Sequence, residues 1–171
     1  MSASRKFMTK VRRSIKKQPI PPHYNPDEWE GKEFNCYLYA LRACFDYKFY
    51  ESFLITPGFI SQNGAYRRGI HKFKNKYTKK YIIQEFKKDI KSLGLRARTT
   101  KINAKISSNE YKIAIYCKDY CDFHFARQDS DGLWSEKNGW NGKLRRIDAK
   151  DISKTLDGYK FIGAFRISKK R

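Results

Sequence analysis

The stretch FNCYLYAL, residues 34–41, decides how the fold is predicted. Asn35 is a strong helix N-cap residue, so the sequence predicts a helix whose first residue is Cys36. Apolar residues then recur with helical spacing and predict a face that packs on a core: Tyr39, Ala40, Ala43 and Cys44. Because first-turn amides and the helix dipole stabilise a thiolate, Cys36 is a candidate nucleophile. The competing interpretation is a small buried cysteine on an aromatic-rich helix.

The composition predicts one folded, strongly basic domain. The 171 residues are enough for one hydrophobic core, and an aromatic content of 16% excludes a disordered chain. Lysine and arginine number 38 against 17 aspartate and glutamate, for a formal net charge of +21. Such an excess predicts contact with a polyanion, such as nucleic acid, an acidic protein surface or an anionic membrane. The alternative is a basic surface without a specific partner.

The cysteine content and the hydropathy predict an intracellular protein, cytoplasmic or nuclear. Four cysteines in a chain of this length are too few for a disulfide scaffold, so a reducing compartment is expected. No run reaches the roughly 18 apolar residues that span a bilayer, and no transmembrane segment is predicted.

Residues 1–22 are predicted to form a basic N-terminal arm that precedes the domain, residues 23–171. Phe7, Val11 and Ile15 recur at four-residue spacing, which predicts an amphipathic helix on an anionic surface. The alternatives are a solvated tail and a mitochondrial transit peptide. The arm has no acidic residue, and its predicted polyanion-binding residues are Arg5, Lys6, Lys10, Arg12, Arg13, Lys16 and Lys17.

A second basic segment, residues 66–80, alternates cations with aromatic rings. That composition is typical of surfaces for single-stranded nucleic acid, where cations contact phosphates and rings stack on bases. It is also typical of a solvated face whose rings point inward. The predicted polyanion-binding residues of this segment are Arg67, Arg68, Lys72 and Lys74.

The remainder of the chain predicts a helix followed by paired strands. Thr78 is a candidate N-cap, and an inward-facing stripe follows it and ends before Gly94: Ile82, Ile83, Phe86, Ile90 and Leu93. Strands are predicted near residues 111–116, 123–128, 133–137, 143–147 and 159–167. Helices ahead of paired strands predict an α+β fold, with N-terminal helices packed on an antiparallel β-sheet.

His124 lies on the second predicted strand, near the head of a hairpin. The facing strand places polar side chains within hydrogen-bond reach of such a histidine, and Glu136 and Asn138 are the available groups. We expect the fold to bring His124 to Cys36, as a pair of thiolate and imidazole.

Two patterns of metal-ligating residues are weaker candidates. Cys117-x3-Cys121-x2-His124 has ligand types that suit zinc, but the spacing is unusual and a fourth ligand would have to come from far away. The acidic residues within 129–136 do not follow the twelve-residue calcium loop, and a polar hairpin turn accounts for them. No metal site and no cofactor is predicted.

These motifs resemble those of the papain-like thiol hydrolases. The Cys36-Tyr37 pair at a helix start, the strand histidine and the segment Lys137-Asn138-Gly139-Trp140 follow that clan's order. In size the chain is similar to viral leader peptidases and to compact bacterial NlpC/P60-like members. The resemblance implies a papain-like fold and a cysteine peptidase or amidase that cleaves a peptide or amide bond through an acyl-enzyme. It implies Cys36 as nucleophile, His124 as general base, Asn138 as the group that orients the ring, and Trp140 as its shield.

One position departs from the papain pattern. Papain relatives carry a glutamine six residues before the cysteine, where this chain has Glu30. An ionised carboxylate there would repel an oxyanion, and Asn35 and Asn25 are candidate replacement donors. Glu136 is a further candidate to support the imidazole.

Two functions from different classes therefore stay open. The first is a thiol hydrolase that acts on a peptide or protein substrate and contacts a polyanion through its basic surface. The second is a non-catalytic basic structural protein on the same fold, which binds nucleic acid or packs with capsid proteins in a virion. In the second case Cys36 serves packing alone.

Overall fold

The computed structural model describes residues 3–17, 20–30, 32, 34–43, 55–62, 77–139 and 142–170. The helices are α1 (Ala3–Lys17), α2 (Pro26–Trp29), α3 (Cys36–Ala40) and α4 (Lys79–Ser92). The strands are β1 (Leu95–Thr100), β2 (Glu110–Lys118), β3 (Asp122–Gln128), β4 (Trp134–Lys137), β5 (Leu144–Ile147) and β6 (Lys160–Lys169). The predicted α+β class is confirmed. Outside the described residues lie Trp140 and the predicted polyanion-binding residues Arg67, Arg68, Lys72 and Lys74.

The six strands form one antiparallel sheet in the order β1-β6-β2-β3-β4-β5. The five predicted strands are confirmed, each to within a few residues of its predicted ends. The first strand was not predicted, because Leu95–Thr100 is rich in arginine and threonine and buries only Leu95. It pairs with β6 alone, at an edge of the sheet, where a strand needs little apolar surface.

Side-chain alternation divides the sheet into two faces. The helix face, which includes Ile113, Ile115 and Phe125, packs against the buried residues of α3 and α4. The second face carries a smaller cluster around Tyr116, Ala126, Trp134, Ile147 and Ile152. Helix α3 lies against β3, which carries His124, and against β4, which carries Glu136.

Both predicted helix starts are confirmed. The side chain of Asn35 accepts a hydrogen bond from the backbone amide of Leu38, at 3.0 Å, and so caps α3 immediately before Cys36. The hydroxyl of Thr78 caps α4 in the same way, and Ile82, Phe86 and Ile90 are buried on its inner side. Gly94 follows α4 with φ of +73°, a conformation that glycine adopts at little cost.

Helix α1 belongs to the core, and its apolar stripe is not available to an anionic surface. Met8, Val11 and Ile15 are each 2% exposed or less and join the same cluster as the helix face of the sheet. The four-residue spacing therefore did predict a helix, but its apolar side packs within the protein. Arg12 also ties α1 to the 55–62 segment through a hydrogen bond to the carbonyl of Ile60, at 3.4 Å.

The buried carboxylate of Asp89 attaches the 55–62 segment to α4. It accepts hydrogen bonds from the Tyr37 hydroxyl and from the backbone amides of Gly58 and Ser61, at 2.6–2.8 Å. This network also holds α3 by its second residue. Among the described residues, no helix is long and apolar enough to cross a membrane.

Candidate active site

The fold brings Cys36 and His124 together. The Asn35 cap places the sulfur in the first turn of α3, and α3 packs against β3 near the strand's first residues. The sulfur of Cys36 is close enough to the His124 ring that its charge raises the pKa of His124 against the opposing effect of burial. Cys36 is only 4% exposed and His124 only 7% exposed, so both residues are buried.

A carboxylate from β4 holds the other side of the imidazole. Nε2 of His124 is hydrogen-bonded to Oε2 of Glu136, which is fully buried. With Nε2 engaged, Nδ1 is the ring nitrogen that remains for the sulfur of Cys36. The three side chains thus form a chain of thiol, imidazole and carboxylate, an arrangement that orients a general base and stabilises its charged form.

Asn138, the residue predicted to orient the ring, does not occupy that position. Extending the β3–β4 register, in which Ala126 faces Glu136, would place Asn138 directly across from His124. However, β4 ends at Lys137 and Asn138 is exposed. Glu136 lies diagonally across from His124 and reaches the ring because its side chain is long and remains inside the ladder.

Glu136 is held in turn by a cation that sequence reasoning missed. Its second oxygen accepts a hydrogen bond from Nε of Arg145, whose guanidinium also contacts Asp157. Glu136 and Arg145 face each other in the β4–β5 register, as opposite charges on paired strands often do. The sequence does place these two residues on consecutive strands. However, only the β4–β5 register shows that they face each other.

The charges beside the ring fix its protonation state. Burial lowers the pKa of His124, but the Cys36 sulfur and the Glu136 carboxylate outweigh burial and raise the pKa to about 10. The ring is therefore an imidazolium at neutral pH. The aromatic rings of Tyr116 and Tyr159 lie beside it, with centroids 6.0 and 5.7 Å from its own, and limit its contact with water.

Lys137 brings a second cation to the sulfur. Its side chain is 1% exposed, and its Nζ donates to the carbonyl of Gly139 at 3.4 Å. Burial lowers the pKa of Lys137 to about 8, and the interaction with Cys36 acts in the opposite direction. Sequence reasoning placed this lysine in the papain-like motif but assigned it no role.

Two other residues considered for the site, Asn35 and Glu30, form helix caps in the structure. The Asn35 amide donates one hydrogen bond to the carbonyl of Ile55 at 2.7 Å, while its oxygen caps α3. Glu30 is exposed and forms the C-cap of α2. Trp140, the predicted shield, is outside the described residues.

The cysteines and acidic residues considered as metal ligands are separated in the fold. Cys117 lies on the helix face of β2 and donates to the carbonyl of Tyr77 at 3.1 Å, whereas Cys121 is exposed and His124 is on the second face. Asp129 and Asp131 form ion pairs with Arg146, whereas Glu136 pairs with His124 and Arg145. Within the part of the chain that the structure describes, no three potential ligands gather into a metal site.

The basic surface of α1 is opposite its buried stripe. Lys10, Arg13, Lys16 and Lys17 are exposed, and Arg12 is partly buried by its contact with Ile60. Arg5 and Lys6 belong to α1, but their side chains fall outside the described part. A shallow groove of about 340 Å³ runs along the helix and is lined by Thr9, Arg12, Arg13, Lys16 and Lys17.

Comparisons with protein-family models, with curated proteins and with solved structures find no match to this chain. The site is therefore interpreted from its own geometry. Its class is that of a buried pair of thiol and imidazole, supported by a carboxylate, on an α+β scaffold.

Proposed function

We propose that this protein is a thiol hydrolase of the papain-like type, which cleaves a peptide or amide bond through an acyl-enzyme. The observation that carries the proposal is an imidazole whose Nε2 is bonded to the buried Glu136 and whose charge interacts with the sulfur of Cys36. A cysteine kept only for packing needs neither a cation beside it nor a carboxylate behind that cation. Burying this charged chain costs desolvation energy, which a purely structural cysteine would not require.

In the proposed acylation step, the Cys36 thiolate attacks the carbonyl carbon and forms a carbon–sulfur bond. The carbonyl π electrons move to oxygen and return as the carbon–nitrogen bond breaks. The His124 imidazolium donates its proton to the departing amine, which leaves as a neutral molecule. Glu136 keeps the ring oriented throughout and stabilises it while it is charged.

In the proposed deacylation step, water replaces the amine. Neutral His124 takes a proton from the water as its oxygen attacks the thioester carbonyl, and the carbon–sulfur bond then breaks. The products are a carboxylic acid and the Cys36 thiolate beside the regenerated imidazolium. Glu136 takes the part that the predicted Asn138 was given by the papain resemblance, and a carboxylate in this position is chemically competent.

The proposal is tested by site-resolved labelling of the full chain with iodoacetamide, followed by peptide mass spectrometry. We expect Cys36 to be alkylated faster than Cys121 at pH 6, although Cys121 is the more exposed, because only Cys36 has an imidazolium partner. His124→Ala should abolish this preference. Equal, slow labelling of the two cysteines would reject a reactive thiol and favour the structural alternative.

A second experiment separates reactivity from hydrolysis. The protein is incubated with a mixed fluorogenic peptide library and with a peptidyl acyloxymethyl ketone, which traps nucleophilic cysteines covalently. We expect cleavage and a covalent adduct on Cys36, and neither with Cys36→Ser. Because Cys36 is only 4% exposed, adduct formation also measures whether a peptide reaches the sulfur. A reactive thiol that neither cleaves peptides nor forms the adduct would contradict the peptidase function.

We also propose polyanion binding through the exposed side of α1, since its buried stripe forces the cations Lys10, Arg13, Lys16 and Lys17 outward together. Fluorescence anisotropy with a single-stranded oligonucleotide should give an affinity that falls steeply with salt. Replacing Arg13, Lys16 and Lys17 by glutamine should reduce the slope of log K against log salt by roughly 2. A flat salt response, or an unchanged slope in the triple variant, would reject this surface. Intracellular localisation, and the alternative of a virion component, remain proposals attached to this surface.

A further inference from the structure

Lys137 is a buried cation on the side of the sheet opposite to His124. Side chains alternate along β4, so Glu136 points to the second face with Ala126, while Lys137 points to the helix face with Ser135. The hydroxyl of Ser135 bonds that of Tyr39 in α3 at 2.6 Å, which confirms that this side of β4 meets the helix. Lys137 is 1% exposed and follows Ser135 by two residues, toward the end of the strand.

Cys36 consequently meets cations from two directions. His124 lies on the second face of β3 and Lys137 on the helix face of β4, and the charge of each interacts with the sulfur. Tyr37, the residue after Cys36, packs its ring on Phe123 and Phe125 of β3, so the start of α3 lies toward the end of these two strands that carries His124 and Lys137. The third ionisable group that interacts with the sulfur is the Tyr159 hydroxyl, which donates to Asp122 at 2.8 Å.

We infer that Lys137 is a second electrostatic partner of Cys36, which stabilises the thiolate whenever His124 is neutral. This inference rests on the proposed role of Cys36 as a thiolate nucleophile. Its structural basis is a lysine enclosed almost completely on the face of β4 that meets α3, the helix whose first residue is Cys36. Enclosing a lysine ammonium is unfavourable unless an anion or several hydrogen-bond acceptors lie near it. Besides the Gly139 carbonyl, a thiolate at Cys36 would supply an anion whose charge interacts with that of Lys137.

The inferred role differs from that of His124 in its timing. His124 gives up its proton during acylation and takes one during deacylation, so its charge changes within each cycle. Lys137 exchanges no proton with the substrate in this scheme. Because burial lowers the pKa of Lys137 only to about 8, Lys137 is still a cation at neutral pH when the carbon–sulfur bond breaks, and its charge favours the departure of the sulfur as a thiolate.

The inference is tested by the pH dependence of Cys36 alkylation in Lys137→Met, with iodoacetamide between pH 5 and 10 and peptide mass spectrometry as readout. The matched control is Lys112→Met, because Lys112 is also a buried lysine of the sheet, 3% exposed, and its Nζ bonds the carbonyl of Ile102 instead. We expect the midpoint of Cys36 alkylation to rise by about one pH unit in Lys137→Met, which is about tenfold slower labelling below the midpoint. Lys112→Met should leave the midpoint unchanged.

The same measurement in a His124→Ala background isolates the inferred effect. There Lys137 is the remaining cation of the pair, so adding Lys137→Met should slow labelling at neutral pH again by about tenfold. If Lys137→Met does not fold, Lys137→Gln replaces it, since glutamine keeps a donor for the Gly139 carbonyl without the charge. Midpoints that match those of Lys112→Met in both backgrounds would overturn the inference. Absence of peptide cleavage, with the Lys137 shift present, would overturn the hydrolase and leave the inference standing.

Discussion

Replacing Glu136 by glutamine tests the centre of the site, because one carboxylate serves two donors there. Oε2 accepts from Nε2 of His124 and Oε1 accepts from Nε of Arg145. Glutamine has nearly the same shape but only one oxygen. Its NH₂ group must face either the imidazole or the guanidinium, and so places donor against donor. The substitution therefore removes one charge and one acceptor with little change in packing.

The magnitude follows from burial. Glu136 is fully buried, so solvent cannot replace the lost acceptor. Leaving a buried donor unpaired costs about 1–3 kcal/mol, and removing one partner of a buried ion pair costs about 3–5 kcal/mol. Since Arg145 is partly exposed and recovers some hydration, we expect Glu136→Gln to lower the free energy of unfolding by about 3 kcal/mol.

The loss should also depend on pH, with a definite sign. The pKa of His124 is raised to about 10 in the folded protein, against about 6.5 in an unfolded chain. Its stabilisation is therefore complete below about pH 6.5 and is lost as the pH rises through about 10. Glu136→Gln removes part of that stabilisation, so the deficit should be largest near pH 6 and should shrink toward pH 10. The titration of Lys137 occurs in both proteins and largely cancels in the difference.

Urea denaturation of both proteins at pH 6, 8 and 10 measures the deficit. The control is Glu110→Gln, which alters a partly exposed carboxylate that accepts a hydrogen bond from the backbone amide of Ser107, at 3.2 Å. We expect the control to change stability by less than about 0.5 kcal/mol at each pH. If Glu136→Gln behaves like this control, or if its deficit grows between pH 6 and pH 10, the assigned link between Glu136 and His124 is wrong.

Two further substitutions test how the chain supports the site. Ile15→Ala should lower the free energy of unfolding by about 2–3 kcal/mol, because Ile15 is 2% exposed within the core. Urea denaturation measures this loss, and the exposed Lys16→Ala is the control. An unchanged urea midpoint in Ile15→Ala would mean that α1 does not pack against the core. Asn35→Ala should cost about 1–2 kcal/mol, since it loses both the α3 cap and the bond to the Ile55 carbonyl. Asn35→Asp keeps the cap oxygen but not the donor, and a loss as large as that of Asn35→Ala would show that the cap contributes nothing.

Local sequence patterns predicted most of the fold. Asn35 and Thr78 were recognisable as N-caps because their side chains compete for backbone amides, a property that depends on immediate neighbours alone. The alternating strands from residue 111 onward were recognisable for the same reason. By contrast, β1 has few apolar residues and becomes a strand only because β6 offers it an unpaired edge. The packing of α1 on the core could not be predicted either, because an amphipathic pattern does not specify which surface covers its apolar side.

In the candidate site, too, the residues that depend on their own segment could be predicted, and the residues that depend on strand pairing could not. Cys36 was singled out by the cap before it, and His124 by its strand, so each could be predicted from its own segment. Their partners depend on strand register, because a slip of one residue moves every side chain of a strand to the other face.

In the observed register Glu136 is inside the ladder, diagonal to His124 and opposite Arg145, while Lys137 faces α3. A slip of one residue in β4 would exchange Glu136 and Lys137 between the faces and put an ammonium group against the imidazole. The chemistry proposed for Cys36 thus depends on the β3–β4 hairpin as much as on the cysteine itself, because that hairpin decides which charge reaches each side of the sulfur.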